Sequence, residues 1–227
     1  MSLFITFEGP EGSGKSTQAR RLYERLEATG KTVIRTKEPG GTPISEMIRR
    51  ILLDLQHGEM DSTTETLLFA AARAQHVSEL IRPYLKRGGI VVCDRYADST
   101  YAYQGYGLGR DLEELRVITR VATGGLMPDV TVYLDLPVDE GLDRKRSALA
   151  RPALVSPLSP PVDPTTIPEW NRLDAREIAF HERVRQGYQA LIAAEPDRWL
   201  SFDGNLDRDT LATAIWERIE PYLARLP

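Results

Sequence analysis

The residues with the clearest chemistry lie near the start of the chain. Gly9, Gly14, Lys15 and Ser16 stand in the spacing G-x-x-x-x-G-K-S. In this pattern backbone N–H groups surround phosphate oxygens, the lysine reaches the terminal phosphates and the serine hydroxyl ligates Mg²⁺. The motif predicts a phosphate-binding loop (P-loop) with Lys15 as a catalytic cation, formed by Gly9, Pro10, Glu11, Gly12, Ser13, Gly14, Lys15, Ser16 and Thr17.

A second candidate is the acid–base pair that follows an apolar run. Residues 90–93 read Ile-Val-Val-Cys and are followed by Asp94 and Arg95. A continuous apolar run is typical of a strand buried on both faces of a parallel sheet, and ligand groups gather beyond the carboxyl ends of such strands. We therefore predict that Asp94, with Ser16, meets Mg²⁺ or its waters, and that Arg95 clamps a phosphate.

Composition limits the setting and the partners. The 227 residues are 41% hydrophobic and 27% charged, with a net charge of −4, so a nucleic-acid polymer is not expected as a partner. Cys93 is the only cysteine, which excludes an intramolecular disulfide and favours a reducing, cytoplasmic setting. A secretory signal is not expected, and no apolar run reaches the ~20 residues that cross a membrane.

Strand and helix patterns alternate along the chain, so right-handed βαβ crossovers and a parallel sheet are expected. The predicted fold is a single α/β domain over residues 1–227, a three-layer P-loop fold with a five-stranded parallel sheet and helices on both faces. After the strand that precedes the P-loop, strands are predicted at 32–35, 90–94, 130–136 and 199–202, and helices at 16–28, 43–54, 64–87, 112–122, 138–149, 171–194 and 206–223.

The helix at 64–87 carries two residues of interest. Asp61 precedes it as a predicted N-cap. Phe69 and Arg73 are four residues apart and so share one face. The pattern alone leaves open a core role for Phe69 and a solvated surface charge for Arg73.

A basic helix and a proline-rich stretch follow the fourth strand. Residues 152–168 contain six prolines, which exclude a regular helix or a central strand and predict an extended, mobile loop. The preceding helix ends in a run of basic residues, which could equally be a solvated face. The basic residues before the prolines are Arg144, Lys145, Arg146 and Arg151.

Together these motifs resemble the thymidylate kinase family of the bacterial kind. The resemblance covers nearly the whole chain and rests on the segments 7–18, 38–42, 67–73, 94–105 and 171–174. It implies the reaction ATP + dTMP → ADP + dTDP with Mg²⁺, a three-layer P-loop kinase fold with a lid insertion at residues 144–172, and a homodimer. The predicted helix at 64–87 could supply the dimer face, although core packing explains its apolar stripe equally well.

The resemblance also implies roles for individual residues. Phe69 would stack on the thymine ring, Arg73 would bond its carbonyl edge, Tyr103 would lie against the deoxyribose, and Arg95 would hold the dTMP phosphate. Glu11 would help to place the sugar or the metal. The implied metal ligands are Ser16, Asp94 and Glu11, and the implied substrate-binding residues are Glu11, Glu38, Pro39, Phe69, Arg73, Arg95, Ser99, Thr100, Tyr103 and Gln104.

The position of the catalytic lid cation is an open point. Some members of the family carry an arginine inside the P-loop, but no cation lies between Gly9 and Gly14 here. The bacterial pattern then places the arginine in the lid, where Arg151 is the first choice and Arg144, Arg146 and Arg172 are rivals. The proline-rich stretch makes this lid longer than is usual for the family, so we expect it to be poorly ordered or to close only over both substrates.

Three other interpretations compete with this assignment. Another nucleoside monophosphate kinase or a deoxynucleoside kinase would share the P-loop. A GTPase-type switch is disfavoured because the chain has no Asp-x-x-Gly and only a near match, at 171–174, to the guanine-binding signature. A non-catalytic P-loop scaffold is disfavoured by the presence of Lys15, Ser16, Asp94 and Arg95 together.

Overall fold

One parallel sheet organises the molecule. The structure, a computed structural model, describes residues 2–150 and 170–224. Its five strands pair in the order β2-β3-β1-β4-β5, all parallel, which confirms the predicted sheet. The strands are β1 (Leu3–Glu8), β2 (Val33–Lys37), β3 (Ile90–Asp94), β4 (Val130–Asp135) and β5 (Trp199–Asp203).

Helices connect successive strands, as right-handed parallel crossovers require. The first crossover is one helix, whereas the connection from β2 to β3 contains three. The α-helices of the described residues are α1 (Lys15–Ala28), α2 (Pro43–Leu53), α3 (Ser62–His76), α4 (Arg82–Lys86), α5 (Ala97–Thr100), α6 (Leu112–Thr123), α7 (Val138–Ala150), α8 (Ile178–Ala194) and α9 (Arg208–Leu223).

Two helical layers cover the sheet. Leu22 and Leu26 of α1 and Ile215 of α9 pack with one face of the sheet in a single buried cluster. On the opposite face, Val77 and Ile81 pack beneath β1 and β3, and the aromatic side chains of α8 and its neighbours lie beneath β4 and β5. Burial of both faces explains the continuous apolar strands and confirms the three-layer architecture.

Parallel register brings the strand ends to one edge. Phe7 of β1 lies opposite Asp94 of β3, and Lys37 of β2 lies opposite the same residue. Glu8 lies opposite Tyr133 of β4. Residues that follow β1, β2 and β3 therefore meet at the carboxyl edge, where open α/β sheets bind ligands.

The helix predicted at 64–87 is present in the structure, but a stretch of different helical geometry interrupts it. Its N-cap is Asp61, whose side chain accepts from the backbone N–H groups of Thr63 and Thr64. A π-helical stretch, Val77–Ile81, separates α3 from α4. A second π-helical stretch, Tyr101–Gly107, continues α5. Such wide turns re-aim side chains, and they often occur at functional sites.

The segment after residue 169 also differs from its prediction. Helix α8 begins at Ile178 rather than at 171. Residues 171–176 form turns instead, held by the Asn171 side chain, which accepts from the backbone N–H of Leu173. The proline-rich loop predicted at 152–168 lies outside the described residues.

Helix α2 shows an unexpected surface. Ser45 and Leu52 face inward, and the Ser45 hydroxyl donates to the Ala72 carbonyl of α3. Three apolar side chains of this helix are exposed, Ile44 by 45%, Met47 by 56% and Ile51 by 45%. The reason is that α2 packs on α3 and not on the sheet.

Across the described ranges, we find no helix with the length and apolarity needed to cross a membrane. Cys93 is buried in β3, as its apolar context predicted.

Candidate active site

The P-loop lies between β1 and α1 and packs tightly on its surroundings. Gly9 and Gly12 have φ angles of 143° and 68°. A Cβ atom on Gly9 would meet the Leu134 carbonyl oxygen at 2.4 Å, and one on Gly12 would meet the Gly141 carbonyl oxygen at 2.0 Å. Both positions therefore require glycine, for backbone conformation and for space. The loop is fixed against the end of β4 and the start of α7.

Lys15 is the first residue of α1 and curls back over the loop. Its ammonium donates to the Pro10 carbonyl at 2.6 Å and to the Ser13 hydroxyl at 3.2 Å. Burial and then the nearby charge of Arg95 lower the pKa of Lys15 to about 8. In the described part of the chain it forms no ion pair with a carboxylate, so its charge is available to an anion at this helix N-terminus.

Ser16 and Asp94 meet at the ends of the loop and β3. The Ser16 hydroxyl donates to Asp94 Oδ2. The described residues contain no cluster of three or more His, Cys, Asp or Glu side chains that could hold a metal. Two oxygen ligands fit Mg²⁺, which uses one or two protein groups and fills its other positions with phosphates and water.

Arg95 has a strained backbone that turns its side chain over the P-loop. Its φ angle is 68°, and it is the only non-glycine residue with a positive φ in the described ranges. Its guanidinium donates to the Gly9 carbonyl at 3.1 Å and to Glu11 Oε1 at 2.7 Å. Such strain persists where the surroundings enforce it, commonly at functional sites.

Glu8, whose role sequence reasoning missed, supports that turn. Its fully buried carboxylate accepts from the Tyr96 backbone N–H at 2.7 Å, the Ser99 hydroxyl at 2.6 Å and the Tyr188 hydroxyl at 2.7 Å. Burial is the main cause that raises the pKa of Glu8 to about 7, although Arg95 opposes it. An acid at the last position of a largely apolar strand was the only signal available in the sequence.

Glu11 is surrounded by donors. Tyr103 donates to Glu11 Oε1 at 2.7 Å, the same oxygen that Arg95 contacts, and Lys145 Nζ lies 3.7 Å from Oε2. Burial alone would raise the pKa of Glu11, but Arg95, Lys145 and Lys15 together hold it well below its usual range. The Glu11 carboxylate is therefore the anion that pairs with the Arg95 guanidinium in this structure.

Arg73 is buried and not a surface charge. Its Nε donates to Glu38 Oε2 at 2.7 Å, Nη1 to the Thr100 hydroxyl at 2.9 Å and Nη2 to the Tyr96 carbonyl at 3.1 Å. Burial would raise the pKa of Glu38, but the charge of Arg73 and then the hydrogen bond from His76 leave it lowered. The guanidinium is therefore fixed in place.

His76 is a further support that the sequence did not suggest. Its Nδ1 lies 3.1 Å from Glu38 Oε1, and its Nε2 lies 2.7 Å from the Thr36 hydroxyl. It is completely buried. Its position three residues after Arg73 on α3 carries no motif, so only the fold reveals the contact.

A single cavity of about 1740 Å³ brings these groups together. Phe69 is half-buried and lines its wall, which is not the position of a plain core residue. Gly9 and Pro10 lie outside the lining, at the root of the loop. The predicted site residues that do line it are Glu11, Gly12, Ser13, Gly14, Lys15, Ser16, Thr17, Glu38, Pro39, Phe69, Arg73, Asp94, Arg95, Ser99, Thr100, Tyr103 and Gln104.

The lid candidates are dispersed. Arg144 lines the cavity but donates to the Gly204 carbonyl at 2.9 Å and to Asn205 Oδ1 at 2.6 Å. Arg146 lies outside the cavity lining, with its guanidinium over the Trp170 ring. Arg151 lies outside the described residues.

Arg172 and Lys145 differ from what the sequence suggested. Arg172 is buried, with its guanidinium 2.6 Å from Glu65, so in this structure it is not a free lid cation. Lys145 lines the cavity and its ammonium lies 2.5 Å from Asp174 Oδ2. Burial, followed by the charge of Glu11, raises the pKa of Asp174 to about 6.

The fold and the loop define the class first: an α/β protein with a P-loop at the carboxyl edge of a parallel sheet. A family model described as "Thymidylate kinase" matches residues 7–151. The chain is 63% identical to the thymidylate kinase of Roseiflexus castenholzii over all of this chain and 96% of that protein. It is 60% identical to that of Herpetosiphon aurantiacus, over all of this chain and 98% of that one.

A solved structure agrees with the sequence matches. The crystal structure of thymidylate kinase from Ehrlichia chaffeensis superposes with a TM-score of 0.72 at 30% identity, covering 96% of this chain and 98% of that one. The chain therefore belongs to the thymidylate kinase family, and it is an enzyme of the kinase class.

Proposed function

We propose that this enzyme transfers the γ-phosphoryl group of ATP to dTMP, giving ADP and dTDP, with Mg²⁺ held by Ser16 and Asp94. The observation that carries the proposal is the single cavity, which joins the P-loop to a pocket lined by Phe69, Arg73 and Tyr103. A phosphate donor and an aromatic acceptor can thus meet inside one site. Family membership supports the same reaction.

The donor side would act through charge and position. Phosphoryl transfer needs in-line alignment and charge neutralisation more than a general base. The P-loop N–H groups and Lys15 would hold the β- and γ-phosphates. Mg²⁺, when bound, supplies further neutralisation of those phosphates.

The acceptor side is organised around Arg95 and Glu11. Arg95 would release Glu11 and bind the dTMP phosphate, because a dianionic phosphate competes well for a guanidinium. Glu11 could then accept from the sugar hydroxyl or approach the metal, beside Tyr103. Phe69 would stack on the base, and Arg73 would donate to its carbonyl edge. Glu38, Pro39, Ser99, Thr100 and Gln104 complete the proposed pocket.

Arg151 remains our proposal for the lid cation. Among its rivals, Arg144 and Arg172 already donate to other protein groups, and Arg146 lies outside the cavity lining. Residues 144–172 would then act as a lid on a single domain, closing over both nucleotides as other kinase lids do.

An acceptor panel tests the reaction. ADP release is measured with dTMP, dUMP, dCMP, AMP and thymidine, and Lys15→Ala serves as the catalytic blank. We expect dTMP to give the highest kcat/KM and the blank to lose transfer while keeping its fold. Turnover of thymidine but not of dTMP would contradict the proposal.

We also propose that two copies of the chain form a homodimer. Single exposed apolar residues are ordinary, but a patch on adjacent helices indicates an interface. Helix α3 packs against both α2 and α6. The six large apolar side chains exposed on these helices are Ile44, Met47, Ile51, Leu67, Val117 and Val121. A two-fold axis would let this face cover its own copy.

A further inference from the structure

Glu65 is a buried acid that the proposed mechanism leaves unused. It lies in the first turn of α3 and has no exposed surface. Its Oε2 lies 2.6 Å from Arg172 Nη2 and 2.6 Å from Arg176 Nη2. Its Oε1 accepts from Gln104 Nε2 at 2.9 Å. The two guanidinium groups supply the positive charge that a buried carboxylate requires.

The charge on Glu65 dictates which way the Gln104 amide points. A carboxylate can only accept hydrogen bonds, so it must face the amide nitrogen. The carbonyl oxygen of Gln104 is then the end that turns away from Glu65. Since Gln104 lines the cavity, it presents an acceptor there.

Neighbouring groups complete a pattern of donors and acceptors. Gln104 lies one helical turn beyond Thr100, whose hydroxyl accepts from Arg73 Nη1 at 2.9 Å. Arg73 offers only donors. A base with a carbonyl oxygen beside a ring N–H, as in thymine or uracil, matches a donor from Arg73 and an acceptor from Gln104. Cytosine, with an amino group beside an unprotonated ring nitrogen, opposes both.

We propose that Glu65 is a positioning residue that sets base selectivity by fixing the orientation of the Gln104 amide. This inference rests on the proposed function, because it assumes that the base binds beside Arg73. Arg172 and Arg176 each lie 2.6 Å from Glu65 Oε2, so either arginine alone holds the carboxylate against Gln104. Removing the charge changes the pattern in a defined way.

Glu65→Gln is the informative variant. The two arginines require an oxygen, so the amide introduced at this position would turn its nitrogen toward Gln104. The Gln104 side chain would then rotate to accept from that nitrogen and would present its own nitrogen to the cavity. The acceptor would become a donor, which disfavours dTMP and favours dCMP.

The test measures kcat/KM for dTMP and for dCMP in five proteins. We expect the dTMP:dCMP ratio to fall at least about tenfold in Glu65→Gln, mainly through a higher KM for dTMP. Arg176→Gln is the matched control: it removes one partner of Glu65 without touching Gln104, so its ratio should stay within about twofold of wild type. The single variant Gln104→Met should also lower the dTMP:dCMP ratio. The double variant with Glu65→Gln should show the same ratio as Gln104→Met.

The outcomes separate the possible failures. An unchanged ratio in Glu65→Gln, an equal fall in Arg176→Gln, or a further fall in the double variant would overturn the role of Glu65. If Glu65→Gln does not fold, Glu65→Asp is measured instead, because its shorter side chain keeps a carboxylate but moves it away from Gln104. An unchanged dTMP:dCMP ratio in Glu65→Asp would also overturn the role of Glu65. A wild-type enzyme inactive on dTMP would instead overturn the proposed function.

Discussion

Lys15 has a pKa of about 8, and this has a consequence for catalysis. Its pKa is lowered, so the side chain is charged below about pH 8 and loses its charge as the pH rises through that value. Because the proposed role of this charge is to bind phosphate, we predict that kcat/KM for ATP falls roughly tenfold per pH unit above this point. Steady-state rates between about pH 6.5 and 9.5 measure the effect.

The control for this profile is Lys15→Arg. An arginine stays charged throughout the range, so its rate, although lower, should show no such alkaline limb. A wild-type profile that stays flat to about pH 9.5, or an equal alkaline fall in the variant, would refute the assignment to Lys15.

The titration of Glu8 makes the folding stability depend on pH. Its folded pKa of about 7 lies above the ordinary value of 4.5, so the folded state binds more protons between these values. Stability from this group is therefore lost as the pH rises from about 4.5 to 7. We predict that Glu8→Gln removes this loss, so that the difference in unfolding free energy between wild type and variant changes by roughly 2–3 kcal/mol from pH 5 to pH 8.

Urea unfolding of both proteins at the two pH values measures the difference. Asp174, with a pKa raised to about 6, contributes the same trend to both, so the comparison isolates Glu8. Parallel pH dependence in wild type and variant would show that Glu8 does not titrate in this way.

At the residue scale, motifs identified several of the charged groups that line the cavity but not the groups that hold them in place. Arg73 and Asp94 stand in recognisable segments. The supporting residues Glu8, Glu65 and His76 are far in sequence from the cavity residues that they contact. His76 and Glu38 are 38 residues apart, and Glu65 and Gln104 are 39 apart. Such contacts depend on tertiary packing, which a single sequence does not encode as a local pattern.

At the scale of elements, the start of α7 touches the P-loop directly. A Cβ atom on Gly141 would meet the Glu11 carbonyl oxygen at 2.1 Å. Gly141→Ala must therefore push α7 and the loop apart. We predict that kcat falls roughly 10–100-fold, because small misplacements of reacting groups have effects of that size.

Gly58→Ala is the matched control for Gly141→Ala. Its added Cβ meets no heavy atom within 4 Å, and its φ angle of −61° suits alanine. Thermal unfolding shows whether both variants keep the fold. A Gly141→Ala enzyme with a kcat within about twofold of wild type would mean that the contact between α7 and the P-loop does not position the site.

The positions of helices and strands were predictable where apolar periodicity was strong. Predictions were least accurate for segments that do not pack on the sheet. The strands and α1 follow their apolar patterns closely. Nothing in the sequence indicated that apolar side chains of α2 would be exposed, because periodicity identifies an apolar face without saying what covers it. The turns at 171–176 were predicted as helix, since side-chain capping by Asn171 outweighs helix propensity there.

At the scale of the whole molecule, the fold was predictable because five apolar strands alternating with helices allow few topologies. The family assignment followed from several separated motifs and is confirmed. The cytoplasmic setting, the absence of a nucleic-acid partner and the lid at 144–172 stay predictions. The lid cation Arg151 lies beyond the described residues.

The proposed homodimer gives a prediction at this scale. Val117 and Val121 are exposed by 58% and 81% on α6. Replacing both with glutamate places charge in the proposed interface, so the chain should shift from dimer to monomer in analytical ultracentrifugation. Replacing two exposed α9 residues, Arg218 and Glu217, with alanine should leave it dimeric. A wild-type monomer, or a dimer in the double-glutamate variant, would contradict this interface.

The most direct test of the account follows the transferred group itself. Wild-type enzyme is incubated with dTMP, Mg²⁺ and ATP labelled in its γ-phosphoryl group, and the nucleotides are separated. We predict that the label appears in the β-phosphate of dTDP, with one ADP formed for each dTDP and none with Lys15→Ala. Label released as inorganic phosphate, with no labelled dTDP, would contradict the assignment.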